Sequence, residues 1–237
     1  MPALLTATVL VVVAACARAG PEPTARHDAA AAPTSVAEPA ARSRVPSPAG
    51  PSRPSPHSAP DGPAQPEPRR AFLSIPALGL RDVPVDRYRG GPDDRRGTAL
   101  QDGGVMASPR GPGGGVGPGV VGNFIVTGHR TAHGAPLRDL PELEVGARVL
   151  VRSGAQELVY RITGTRWTSF RSPASLVRQS ARVPGRPGAV AVRPMLTLST
   201  CATPEDHAAG NFWSDEHGNP EHRIDKVGVL QGVRAAG

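Results

Sequence analysis

Cysteine is almost absent from this chain. Of its 237 residues, only Cys16 and Cys201 are cysteines. Because Cys16 lies in an apolar leader, the folded part of the chain cannot close an internal disulfide bond. The sequence therefore excludes a disulfide-stabilised domain and predicts that Cys201 is a free thiol.

Aromatic residues and lysine are also scarce. Aromatics make up 3% of the chain, and Lys226 is the sole lysine among 27 basic residues. The net charge of +7 is compatible with nucleic acid, but the arginines are scattered, and neither an aromatic stacking platform nor a nucleic-acid-binding motif accompanies them. We therefore predict no nucleic-acid partner, since attraction to an anionic cell surface or wall explains the charge equally well.

Long apolar runs are limited to residues 3–17, "ALLTATVLVVVAACA". This length fits a signal-peptide core and is short of the roughly 20 residues that a spanning helix needs. The letters "VAAC" at 13–16 are similar to a bacterial lipobox, which would make Cys16 a lipidated first residue. A slightly longer helix would instead be an uncleaved anchor. Both readings stay open, and both predict a signal or anchor segment over residues 1–17 that attaches the protein to the cell membrane.

Residues 18–70 contain almost no large apolar side chains, as in "VPSPAGPSRPSPHSAPDGPAQPEP". Such a segment cannot bury enough surface to offset the entropy of ordering its backbone. Its prolines favour extended conformations over a compact coil. We predict a disordered Pro/Ala-rich linker, which would act as a stalk.

Residues 71–237 carry the signals of a folded domain. One short helical turn is predicted over 135–144, where Leu137, Leu140 and Leu143 recur, and the Gly-rich segment 101–122 is predicted to be a loop. Short β-branched runs predict strands at 71–85, 123–129, 147–153, 157–168, 195–201 and 226–233. Short strands without alternating helices predict an all-β domain, either a closed β-barrel or a sandwich.

Three chemically active side chains lie at predicted strand ends. Alternation places Cys201 on the more polar face of its strand, at the exit. His129 stands at the exit of another strand, and Arg223 at the entrance of the last one. A thiolate can attack a carbonyl carbon, an imidazole can protonate a leaving amine, and a guanidinium can stabilise an oxyanion. The three residues can converge on one rim of a barrel.

Simpler interpretations of these residues are also open. A lone cysteine in a strand is often an inert small hydrophobe, and the Gly-His pair that ends a strand can be structural. Arg223 could form a surface ion pair with Asp225. A metal site is the remaining alternative, although the spacing of its potential ligands matches no compact zinc pattern. Those potential ligands are Cys201, His207, His217 and His222.

Three segments of this sequence resemble sortases, the cysteine transpeptidases that attach proteins to the Gram-positive cell wall. "TLSTC" at 197–201 matches their TLxTC signature, and "VTGHRTAHGAP" at 126–136 is similar to their histidine segment, especially in class E. "HRIDKVGVL" at 222–230 is similar to their arginine strand. The resemblance implies a closed sortase-type β-barrel with short helices over 71–237.

The resemblance also implies roles for single residues. Cys201 would be the nucleophile, His129 the general acid and base, and Arg223 the stabiliser of the oxyanion or the substrate carbonyl. Thr200 would line the site, and His133 would influence whether Pro or Ala is preferred in the sorting signal. No metal or organic cofactor is implied, although the acidic insertion between Cys201 and Arg223 could be a lid, a substrate wall or a calcium-binding loop.

The implied reaction is cleavage of an LAxTG or LPxTG sorting signal between Thr and Gly through a thioacyl-enzyme. The partners would be secreted proteins that carry this signal and an amine of a peptidoglycan precursor. The catalytic domain would lie outside the cell, anchored to the membrane by the N-terminal segment. Two alternatives stay open: a Cys/His peptidase without transfer activity, and a non-catalytic wall-associated lipoprotein whose Cys201 is inert.

Overall fold

The computed structural model describes residue 68 and residues 70–237. The predicted leader over 1–17 and nearly all of the linker over 18–70 lie outside the described residues, so the anchor and the stalk stay predictions. Within the described part of the chain, no helix is long and apolar enough to cross a membrane.

Strands dominate the secondary structure of residues 70–237. The eight strands are β1 (Arg70–Ile75), β2 (Leu80–Arg89), β3 (Met106–Arg110), β4 (Gly122–Thr127), β5 (Arg148–Ser153), β6 (Gln156–Ser169), β7 (Pro194–Cys201) and β8 (His222–Ala235). The helices are α1 (Arg95–Asp102), α2 (Pro173–Ser180) and α3 (Thr203–Ala208), with single 3-10 turns at Pro76–Leu78 and Leu140–Glu142.

The eight strands close into one barrel in the order β1-β2-β3-β4-β7-β8-β6-β5. The β2/β3 and β4/β7 pairs are parallel, and the other neighbouring pairs are antiparallel. Closure leaves no sheet edge unpaired. The prediction of a closed all-β barrel with short helices is confirmed.

Alternating apolar side chains fill the barrel interior. On β7, Leu196 and Leu198 are fully buried and belong to the same apolar cluster as Tyr160 of β6. Successive residues of a strand face opposite sides, so Thr197, Ser199 and Cys201 lie on the outer face of β7. The loops and α2 cover that outer face, which explains why Thr197 and Ser199 are also buried.

The sequence pattern predicts the long strands but locates neither the short strand β3 nor any of the three helices. The predicted strands that became β5, β6 and β7 agree with the structure to within one residue at each end. The prediction that all of 101–122 is a loop is wrong, because β3 lies inside it with Met106 and Ala107 fully buried. The helix α1 that precedes β3 was also missed, although Asp94 caps it by accepting hydrogen bonds from the amides of Arg96 and Gly97.

The predicted helical turn over 135–144 is present as the 3-10 turn Leu140–Glu142. Pro141 stands at its start and helps to keep it short. Leu137, Leu140 and Leu143 are all buried in the main apolar cluster. The turn therefore packs the segment that follows His129 onto the barrel.

Candidate active site

The three predicted site residues lie on adjacent strands at one rim of the barrel. Cys201, the last residue of β7, is directly opposite Arg223 on β8. On its other side β7 pairs with β4, and the amide of Gly128 donates to the carbonyl of Ser199 at 3.2 Å. His129 follows Gly128, so the chain carries it to the same rim as Cys201.

The Cys201 thiol and the Arg223 guanidinium are in contact. Nη1 of Arg223 donates to Sγ of Cys201 at 2.7 Å. Burial raises the pKa of the Cys201 thiol, although the charge of Arg223 acts against this rise. Because the pKa stays above that of an ordinary thiol, the sulfur is mostly protonated at neutral pH.

This raised pKa predicts how Cys201 reacts with iodoacetamide. Only the thiolate is alkylated, so the rate should rise with pH and reach half of its maximum at a higher pH in the folded chain than in urea. The measurement is peptide-level mass spectrometry of the Cys201 peptide, which separates it from Cys16. If the pH of half-maximal alkylation in the folded chain were equal to or lower than that in urea, burial would not raise the pKa of Cys201.

Arg223 is fixed by partners on all sides of its guanidinium. Nε donates to Oδ2 of Asp93 at 3.0 Å, and Nη2 donates to Oδ1 of Asn219 at 2.6 Å. The guanidinium carbon lies 4.4 Å from the centroid of the Phe170 ring. Burial disfavours the charge of Arg223, but the attraction of Asp93 and Cys201 outweighs it and raises the pKa of the guanidinium. Arg223 is therefore a buried, oriented cation.

The alternative ion pair between Arg223 and Asp225 is not formed. Asp225 instead accepts hydrogen bonds from Thr168 and Gln179, at 2.6 and 3.1 Å. Both charged side chains are 1% exposed, so the interpretation of Arg223 as a surface residue is wrong. The register of β8 places them two residues apart on the same face, with separate partners.

Asp93, like Asn219 and Asp102, is a residue of the site that the sequence did not predict. It is buried, with a left-handed backbone conformation at φ 55°. Besides Arg223, its carboxylate accepts from Nε2 of Gln101 at 2.8 Å, and its carbonyl accepts from Nδ2 of Asn219 at 3.2 Å. Asp93 thus connects the α1 region to Arg223. The one sequence signal that could have indicated Asp93 is its position directly before Asp94, the residue that caps α1.

Removing the charge of Asp93 is expected to destabilise the fold. Asp93→Asn leaves Arg223 buried without its counter-ion, which should cost about 3 kcal/mol of unfolding free energy. Asp82→Asn is the matched control, because Asp82 also has a positive φ of 46° but forms an exposed pair with Arg152. It should cost less than about 1 kcal/mol. Urea denaturation measures both values, and equal losses would contradict the assignment.

The segment 202–222 contributes to the site through its turn. The Asp215 carboxylate accepts from the amides of His217 and Asn219, at 2.9 and 2.8 Å. Burial alone would raise the pKa of Asp215, but these hydrogen bonds and that from the Asn219 side chain outweigh it and lower the pKa. The turn presents Asn219 to Arg223, so this segment helps to hold the guanidinium in place.

The metal site considered for this region is not formed. Nδ1 of His222 contacts Asp206 at 2.6 Å, and the ring of His207 packs against Phe212. Among the residues that the structure describes, the one group of three or more potential metal ligands is Asp102, His129 and His133. The hypothesis of a site built from Cys201, His207, His217 and His222 is therefore wrong.

His129 is held from the side of α1. Its Nε2 lies 2.9 Å from Oδ1 of Asp102, the last residue of α1. The ring of His133 stacks on the ring of His129, with centroids 5.0 Å apart. Within residues 70–237 no hydrogen bond joins His129 to Cys201, and the catalytic roles predicted for these two residues stay predictions.

Thr200 and Arg130 tie the histidine segment to β7. The hydroxyl of Thr200 donates to the carbonyl of Gly128 at 2.8 Å, and the side chain is 1% exposed. Nη1 of Arg130 donates to the carbonyl of Cys201 at 3.4 Å and pairs with Glu205. The predicted contacts of Thr200 and His133 with substrate stay predictions.

Known proteins share this fold and sequence pattern. A family model described as "Sortase domain" matches residues 73–213. Among solved structures, sortase E from Streptomyces avermitilis has 25% sequence identity and a TM-score of 0.50, with 70% of this chain and 89% of that chain covered. SrtA sortase from Actinomyces oris is 18% identical with a TM-score of 0.54, covering 73% of this chain and 89% of that chain.

No curated protein matches the chain by sequence. The family model nevertheless spans more than half of the 237 residues, including the cysteine strand and the histidine segment. The similarity to sortase E supports the class E resemblance of the sequence. The chain therefore belongs to the sortase family of cysteine transpeptidases.

Proposed function

We propose that this sortase cleaves an LAxTG or LPxTG sorting signal between Thr and Gly and joins the Thr carbonyl to a cell-wall amine. The observation that carries the proposal is the contact of 2.7 Å between Nη1 of Arg223 and Sγ of Cys201. It puts a fixed cation beside a sulfur atom that can attack a carbonyl carbon. The oxyanion formed by that attack arises within reach of the same cation.

In the first half of the reaction, the Cys201 thiolate attacks the Thr carbonyl carbon and a carbon–sulfur bond forms. The carbonyl electrons move to oxygen, and the guanidinium of Arg223 stabilises the resulting charge. His129, as an imidazolium, protonates the Gly nitrogen while the carbon–nitrogen bond breaks. The products are a thioester on Cys201 and a free peptide amine.

In the second half, an amine of a peptidoglycan precursor attacks the thioester carbon. His129 takes the proton that this nitrogen loses, and the thiolate of Cys201 leaves. A new amide links the sorted protein to the precursor. Because the raised pKa of Cys201 leaves little thiolate at neutral pH, this enzyme should be slow unless substrate binding favours the ion pair.

The partners and location belong to the same proposal. The sorted proteins would be secreted, and the acceptor would be a wall amine, which requires the catalytic barrel to face the outside of the cell. The apolar run at residues 3–17 supports attachment to the membrane. The side chains of the rim suffice for the chemistry, and the proposal uses no metal or organic cofactor.

The test is a product assay with the full chain. Peptides containing LAETG or LPETG are incubated with and without a diglycine amine, and the products are identified by mass spectrometry. We expect an amide between Thr and the added amine, with the two peptides revealing the preferred signal. Acid product alone would favour the peptidase alternative. The absence of product, together with a Cys201 that resists alkylation even at high pH, would favour the non-catalytic wall-associated lipoprotein.

A further inference from the structure

Two imidazoles and one carboxylate meet beside the barrel rim. Oδ1 of Asp102 lies 2.9 Å from Nε2 of His129 and 3.4 Å from Nε2 of His133. One potential ligand atom from each of the three residues lies within 4.8 Å of the other two. Nε2 of each ring lies near the same carboxylate oxygen. Two imidazoles and one carboxylate this close together offer three ligands to one metal ion.

The backbone brings the two histidines together over a short distance. His129 follows β4, and the chain then turns so that His133, four residues later, stacks on it. His133, Gly134 and Ala135 have φ values of 48°, 80° and 44°, so this turn uses the left-handed region at three consecutive residues. Asp102 approaches from α1, a separate element. The ligands thus come from two parts of the chain that the barrel fixes independently.

We propose that Asp102, His129 and His133 bind a Zn²⁺ ion, with water as the fourth ligand. Two imidazole nitrogens and one carboxylate are an established ligand set for zinc with an open position. Zinc–nitrogen bonds of ~2.0–2.1 Å in a tetrahedral site put ligand atoms about 3.3 Å apart. The distances of 2.9 and 3.4 Å are near this value. Because the two rings stack with 29° between their planes, His133 must rotate to direct its nitrogen at the ion.

Exposure at the cluster is consistent with an ion that enters from solvent. The side chains of His133 and Asp102 are 46% and 47% exposed, and that of His129 is 18% exposed. Water can therefore reach the fourth position. The more exposed side chain of His133 has room to rotate toward an ion, whereas His129 is held beside β7.

The consequence for activity rests on the proposed function. A zinc ion on Nε2 of His129 occupies the lone pair that would carry a proton in the transfer reaction. The ion would therefore inhibit the sortase reversibly through the histidine rather than through the Cys201 thiol. Chelation should restore activity.

Binding is tested first without either thiol. In the full chain with Cys16→Ala and Cys201→Ala, isothermal titration with zinc chloride should show one site. Adding His133→Asn should weaken it by at least the ~10–100-fold that loss of an outer-shell partner costs. Asparagine tolerates a positive φ, which protects the turn. His217→Asn is the matched control, since His217 is a partly exposed histidine outside the cluster, and it should bind zinc unchanged.

Two binding results would overturn the proposal. One is an absence of zinc binding once both thiols are removed, because the ion would then be held by cysteine. The other is equal binding in the His133→Asn and His217→Asn chains, because the histidine cluster would then not hold the ion. Cobalt spectra of the thiol-free chain provide a second readout, and an octahedral spectrum would contradict the tetrahedral site.

Activity is tested separately, in the chain that keeps Cys201. Zinc should inhibit amide formation, EDTA should reverse the inhibition, and the His133→Asn chain should need at least about tenfold more zinc for half-inhibition. Each chain is compared with itself without zinc. Zinc binding that depends on His133, in a chain that forms no amide product, would support the metal site and contradict the proposed function. Amide formation by a chain that binds no zinc would support the proposed function and contradict the metal site.

Discussion

Replacing Cys201 with alanine is expected to reduce peptide cleavage and transfer to the uncatalysed background. No other described side chain stands beside Arg223 with a sulfur nucleophile, because Cys201 is the one free cysteine within residues 70–237. The thiol lies at the barrel rim, outside the apolar core. Arg223 keeps Asp93 and Asn219 as partners, so the loss of unfolding free energy should stay below about 1 kcal/mol.

This prediction is checked by the amide-forming assay together with urea denaturation. Cys201→Ser tests the chemistry at nearly constant shape, and it should also be inactive because a hydroxyl ionises far less readily than a thiol. Cys16→Ala is the matched control, since it removes the other cysteine of the chain, and its turnover should equal that of the parent. Turnover by Cys201→Ala within tenfold of the parent would contradict the role of the sulfur.

Replacing Arg223 with lysine is expected to lower kcat/KM by about 10²–10³, the loss that follows removal of one oxyanion donor. The guanidinium contacts Cys201, Asp93 and Asn219 from three of its nitrogens. A lysine ammonium keeps the charge but lacks the planar fork that points in these three directions. The variant should therefore fold, since Asp93 keeps a counter-ion, while losing the donor beside the sulfur.

Arg234→Lys is the matched control for this substitution. Arg234 is an exposed arginine of the same strand, β8, and pairs with Glu157. Its replacement should leave kcat/KM unchanged, because a surface ion pair contributes little. If Arg223→Lys kept the parent kcat/KM, a positive charge alone would be enough for activity. The planar set of N–H donors on the guanidinium would then have no catalytic role.

Arg223 also has a measurable effect on the sulfur itself. The charge of Arg223 lowers the pKa of Cys201 against the effect of burial. In Arg223→Gln this opposition is lost, so the pH midpoint of Cys201 alkylation should move further upward. A downward shift would contradict the direction of the electrostatic argument.

The long strands could be predicted from sequence because their side chains alternate. Leu196 and Leu198 are apolar and buried, and Thr197 between them is polar. The strand β3 could not be found in this way, since "MASPR" is buried along both faces, contains Pro109 and is flanked by glycines. A short strand covered on both sides carries no alternating signal.

Cys201, His129 and Arg223 could be predicted from the sequence because each stands at a strand end. Closure of the barrel brings those ends together, as the β4-β7-β8 order shows. Asp93 was not accessible, because 130 positions separate it from Arg223 and no local pattern marks the contact. The cluster of Asp102 with two histidines depends on the left-handed turn at His133, which a histidine does not signal.

The central claim is that Cys201 carries the acyl group, and peptide-level mass spectrometry of the enzyme tests it most directly. The full chain is mixed with an LAETG or LPETG peptide without amine, quenched in acid and digested. We predict a mass increase equal to the peptide acyl portion on the Cys201 peptide, lost when a diglycine amine is added and amide product appears. Amide product without an adduct on Cys201, or with the acyl group on another residue, would contradict the account.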